Sequence, residues 1–151
     1  MSKRKVAHDS FTIERTYPAS PAKVFKAWAG AESKARWFVG PPGWELVERR
    51  MEVKIGGQEY VSGRFDHGKT SVFDARYHDI VPNQRLVYSY EMTVNGSRFS
   101  VSLATVVLTP EGKHTKMALT EQGVFFGDPK DAPGRVEGTH QLMDMLAKSF
   151  A

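Results

Sequence analysis

From Leu86 to Met92 the chain alternates strictly, with Leu86, Tyr88, Tyr90 and Met92 on one face and Val87, Ser89 and Glu91 on the other. A period of two predicts a half-buried strand. "SFTIERTYP" (10–18) sets Phe11, Ile13, Arg15 and Tyr17 against Thr12, Glu14 and Thr16, and predicts a first strand in the same way. The period then changes. In "SPAKVFKAWAG" (20–30) Ser20 can cap, Pro21 sits at the first helical position, Gly30 ends the run, and Val24, Phe25 and Trp28 form a buried stripe. "AESKARWF" (31–38) predicts a short second helix, which Pro41 and Pro42 forbid from continuing.

Between Trp44 and Gly123 the punctuation is that of an antiparallel meander. Corners fall at Gly56-Gly57, "DHG", "VPNQ", Asn95-Gly96 and "PEG", which separate six further strands. "GDPKDAPG" (127–134) is a loop leading to a closing helix. There Val136, Thr139, Met143, Leu146 and Phe150 recur at helical spacing, flanked by Leu142 and Met145. At about 1.5 Å per residue such a helix is roughly 25 Å long, enough to cross a sheet. One strand, two short helices, six strands and a long helix make an α+β order.

Composition narrows the class. A chain of 151 residues with 40% apolar and 25% charged content suits one globular domain. No apolar run approaches the roughly 20 residues of a membrane span, and the N-terminus lacks the apolar stretch of a secretory signal. Cysteine is absent, which excludes disulfides and thiolate chemistry and suits the cytoplasm. Net charge is +4, of which Lys3, Arg4 and Lys5 against Asp9 supply +2 within the first ten residues. Residues 1–9 therefore read as a basic flexible tail and 10–151 as a single domain without a basic face for nucleic acid.

Several stretches carry a resemblance: "SPAKVFKAW", "ARWFVGPPGW", "IGGQEYVSGRF", "FDARYHDIVPNQRLVYSYEM", "SVSLATVVLTPEG", "LTEQGVFF" and "RVEGTHQLMDML". In this order they resemble the START-like (SRPBCC, birch-pollen-allergen-like) superfamily. Within it, the chain is similar to the small single-domain bacterial homologues of the activator of heat-shock-protein-90 ATPase. The resemblance implies a helix-grip fold, a curved antiparallel sheet gripping the last helix with a cavity between them. Many relatives place a tryptophan after the glycine of the closing helix. Here Gly138 is followed by Thr139, so no role of that tryptophan transfers. Thr139 leaves room under the sheet, which either Trp28 or Met143 fills or a cavity occupies.

No nucleophile motif, phosphate loop or metal-ligand spacing is present, and no cofactor is expected. The candidate chemistry is a tyrosine-rich inner face. Each buried phenol needs a partner, so either the tyrosines are amphipathic core residues or they line a hollow. Alternation places Glu121 inward with Met117 and Leu119, where burial would raise its pKa; the alternative is a rim residue or one bonded to Arg64, Arg76 or Arg98. Glu59 and Asp74 invite the same two readings. The leading expectation is a domain binding a small hydrophobic or aromatic molecule, with Phe73, Tyr77, Tyr88, Tyr90 and Phe99 as walls, Thr139 and Met143 beneath, and Glu121 as polar contact. The resemblance puts Trp37 and Phe38 near the mouth. One rival is a cyclase or hydrolase using Glu121 and a tyrosine as acid and base; another is a chaperone- or protein-interaction module. Edge strands and exposed aromatics suit a homodimer.

Overall fold

In the computed structural model, which describes residues 4–151, the period-two segments become seven strands. They are β1 (Ala7–Tyr17), β2 (Trp44–Met51), β3 (Gln58–Phe65), β4 (Thr70–Val81), β5 (Arg85–Val94), β6 (Ser97–Glu111) and β7 (His114–Phe125). All pair antiparallel in the order β1-β7-β6-β5-β4-β3-β2, so only the β1–β7 pairing joins strands distant in sequence. The three helices are α1 (Pro21–Ala29), α2 (Ala31–Ala35) and α3 (Asp131–Lys148). The sheet curves around α3 in the expected helix-grip arrangement. Register shifts at Leu46/Glu48, Tyr77/Asp79 and Met92/Thr93 mark bulges, which sharpen local bend and twist.

Local chemistry sets these limits. The Ser20 side chain accepts from the Lys23 amide at 3.2 Å, and Pro21 opens α1. Asn95 and Gly96 take φ of 50° and 81°, the left-handed pair that closes a two-residue hairpin between β5 and β6. Gly63 lies under the Trp44 indole, where a Cβ would come within 2.0 Å of the ring; Trp44 Nε1 donates to Ser71 Oγ across β3. That contact ties the edge strand β2 down.

Three boundaries differ from the sequence expectation. Helix α2 spans five residues, because Trp37 and Phe38 leave the helix to pack inward. Strand β7 runs through Gly123 to Phe125, and β1 begins at Ala7, where Ala7–Asp9 pair with Gly123–Phe125. Backbone pairing along the sheet edge therefore claims part of the segment read as a tail; residues 1–3 lie outside the described residues. On α3 the expected stripe faces the sheet: Thr139, Met143 and Leu146 are buried, while Met145 lies at the surface. No helix among the described residues is long and apolar enough to cross a membrane.

Candidate functional site

The inner face of the sheet is a continuous aromatic wall. Tyr77, Tyr88 and Tyr90 stand on β4 and β5, with ring centroids 6.1 Å apart from Tyr77 to Tyr88 and 6.1 Å from Tyr88 to Tyr90. Phe73 joins Tyr90 at 4.9 Å. Each end of this wall carries a tyrosine bonded to a glutamate, in different company.

At the end beneath the start of α3, Tyr90 donates to Glu121 Oε1 at 2.5 Å. Arg135, from the second turn of α3, donates to the Tyr90 hydroxyl at 3.0 Å, to Ser102 Oγ at 3.2 Å and to Ser100 Oγ at 2.7 Å. Its guanidinium lies over Phe125 at 5.0 Å, Tyr90 at 5.3 Å and Phe99 at 5.9 Å. The cation thus reaches the carboxylate through a phenol. Burial raises the Glu121 pKa, opposed by the Tyr90 hydrogen bond and by Arg135. Burial, with the Glu121 charge, also pushes the Tyr90 phenol up, which keeps it protonated and donating. Thr139, one turn after Arg135, returns its hydroxyl to the Arg135 carbonyl at 2.7 Å.

At the other end Lys34 of α2 points into the core and meets Glu59 Oε1 at 2.7 Å, and Tyr77 donates to the same oxygen at 2.6 Å. Both ionic side chains are at most 2% exposed. Five rings surround the ammonium, from Phe38 at 4.6 Å to Trp37 and Phe73 at 5.9 Å, with Trp28 and Tyr88 between. Burial lowers the Lys34 pKa, and the Glu59 carboxylate opposes that fall. Arg49 of β2 closes this end by donating to the Phe38 carbonyl at 2.8 Å.

All the expected site residues except Met143 fall into these two groups. Tyr90, Phe99, Glu121 and Thr139 converge around Arg135. Trp37, Phe38, Phe73, Tyr77 and Tyr88 converge around Lys34 and Glu59. Trp37, expected at a mouth, is fully buried and donates from Nε1 to the Ala27 carbonyl at 2.9 Å, which locks it against α1. Phe38 is half-buried and packs on Phe73 at 4.9 Å. Met143 is buried below the wall, where its carbonyl accepts from Tyr17 at 3.2 Å. Thr139 is buried and its hydroxyl turns back to its own helix, one turn after Arg135.

Neither arginine nor the buried lysine was expected from the sequence. Arg135 sits four residues before Thr139 and heads the stripe 135, 139, 143, 146, whereas the expected stripe began at Val136. The hydrogen-bond partner of Glu121 is Tyr90, with Arg135 behind the phenol, and Arg98 instead pairs with Glu91. Lys34 offered no such signal, because five helical residues establish no periodicity. Among the described residues no group of three or more His, Asp and Glu side chains converges as metal ligands would.

Comparison with known proteins places this geometry. The family described as Activator of Hsp90 ATPase homolog 1-like protein matches residues 18–151. The chain is similar to the solved Mll3558 protein of Rhizobium loti, with 42% identity, 97% of this chain and 99% of that one covered, and a TM-score of 0.89. It is also similar to an uncharacterized protein of Rhizobium leguminosarum, at 36% identity, 97% and 96% coverage and a TM-score of 0.91. The CV1439 protein of Chromobacterium violaceum, 20% identical with 93% and 96% coverage and a TM-score of 0.76, shares the fold. No protein with a curated description matches the chain.

Proposed function

This chain belongs to the Activator of Hsp90 ATPase homolog 1-like family, and we propose that it acts as a START-like binding domain for a small apolar or aromatic molecule held between the sheet and α3. The observation that carries this reading is the Arg135–Tyr90–Glu121 relay set into an otherwise aromatic wall. A carboxyl whose pKa burial raises can serve a guest as a polar contact, while Phe99, Phe125 and Tyr90 supply flat walls. Entry needs a part of the grip that opens. The start of α3 suits this: Lys130 caps it without a side-chain hydrogen bond, and Gly134 and Gly138 each weaken a helix by about 1 kcal/mol relative to alanine. Lifting the first two turns would carry Arg135 off Ser100, Ser102 and Tyr90 and expose the wall.

Native and denaturing mass spectra of freshly purified protein test the reading. A defined extra mass, lost on denaturation, is expected and would identify the ligand class. A bare native mass that persists after incubation with a panel of small aromatic molecules counts against it. The Tyr90–Glu121 hydrogen bond also favours a second reading, acid–base catalysis of a cyclase or hydrolase type. In that case Glu121→Gln would abolish turnover of a substrate that still binds; turnover that survives removes the catalytic reading and leaves binding intact.

A further inference from the structure

We infer that a second polar subsite lies where β2 meets β3, and that it holds one hydroxyl group, of a ligand or of an ordered water, between Arg49 and Glu59. The inference does not depend on a ligand at the Arg135 cluster. Register brings the two side chains together. Arg49 stands opposite Val61 and Met51 opposite Glu59, while Arg50 stacks on Tyr60 at 4.4 Å on the outer face. Arg49 and Glu59 therefore share the inner face one diagonal step apart, a separation of about 7–8 Å that long side chains bridge. The hydrogen bond from Arg49 Nη2 to the Phe38 carbonyl holds the guanidinium against the segment that follows α2.

The remaining polar atoms are then unmatched. Arg49 Nε and Nη1 are buried and make no hydrogen bond among the described residues. Glu59 is 1% exposed; Lys34 and Tyr77 both use Oε1, and Oε2 is equally without a partner. Buried donors and acceptors are almost always satisfied, and the Glu59 charge acts on Arg49, so the orphan donors and the orphan acceptor together describe the group that would fit between them. A carboxylate or phosphate would suit Arg49 but bring no proton to Glu59 and would set like charge against it. An ammonium would suit Glu59 but accepts nothing from Arg49. A hydroxyl accepts from the guanidinium and donates to the carboxylate. Phe38 and Phe73, in edge contact at 4.9 Å, stand nearby as walls for the ring of a phenol.

A crystal structure of the protein with and without phenol, together with the NMR signal of the Arg49 Nε–H group during titrations with phenol and toluene, tests this. We expect an oxygen within hydrogen-bond distance of Arg49 and of Glu59 Oε2, and a shift of the Arg49 signal with phenol but not toluene. Arg49→Met should weaken phenol binding about tenfold, and Arg49→Lys, which keeps a charge but not the two donors, should weaken it as well. An oxygen that is present but not displaced by phenol identifies ordered water as the occupant. Direct contact of Arg49 with Glu59, no intervening oxygen, and an unmoved Nε–H signal would overturn the inference.

Discussion

The two ends of the inner face use one pair of residue types for opposite purposes. At the α2 end the Tyr77–Glu59 pair is closed by a lysine in direct contact, and aromatic rings seal the ammonium. At the α3 end the Tyr90–Glu121 pair meets its cation only through the phenol, and that cation rides on the glycine-containing start of a helix. A buried charge whose partner touches it directly tolerates no movement, because separation strands both charges in the core. A cation held by neutral hydroxyls can leave at the cost of hydrogen bonds that water replaces. The first arrangement fastens α2 to the sheet, and the second is the one that the proposed entry route would release.

The largest expected effect breaks the closed end. Lys34→Ala strands the Glu59 carboxylate in the core and should cost about 3–5 kcal/mol in urea unfolding. Replacing both residues by methionine should recover more than half of that loss, because no lone charge remains. If the double variant is no better than the single one, the ion pair is not what the α2 end depends on. Arg135→Met should cost less, about 1.5 kcal/mol, the low end for hydrogen bonds to a charged group at a half-exposed site. Amide exchange should then accelerate in the first half of α3 and stay unchanged in α2.

The third effect is a slope. Burial holds the Glu121 pKa above its ordinary 4.5, so between 4.5 and the raised folded value the native state keeps a proton that the unfolded chain has lost. Stability from this group is full below pH 4.5 and falls as pH rises through that window. Glu121→Gln, which keeps an acceptor for Tyr90, should match the native protein at low pH and exceed it at neutral pH. Unfolding curves across pH 4 to 8 check this. The smallest effect tightens the open end. A Cβ at Gly138 would meet no atom within 4 Å, so Gly138→Ala should add about 0.5–1 kcal/mol and slow exchange of the α3 amides.

How much of this was readable in advance follows the physics of each element. Alternation in β7 put Glu121 inward with Met117 and Leu119, and the observed burial agrees. Glu59, which was open to the same two readings, is also buried, on the face of β3 that carries Val61. Strand faces are readable because the period of two survives any error in the ends. The cations were not readable for two different reasons. Arg135 directly follows "GDPKDAPG", which reads as a loop through Gly134, and it falls one position before the stripe that begins at Val136, although α3 starts at Asp131. Lys34 lies in a helix too short to define a face, and its burial is decided by an acid 25 residues away. Long-range partners of this kind depend on register, which no local pattern fixes. The boundary at β1 failed likewise, since Ala7–Asp9 are held by pairing with β7.

The most direct test of the contrast is an NMR shift map of labelled protein titrated with aromatic molecules that lack a hydroxyl group. The account predicts changes centred on Tyr90, Phe99, Ser100, Ser102, Arg135 and Thr139, with Lys34 and Tyr77 unmoved. Changes centred on the Lys34–Glu59 end, or none with any member of the panel, would contradict it.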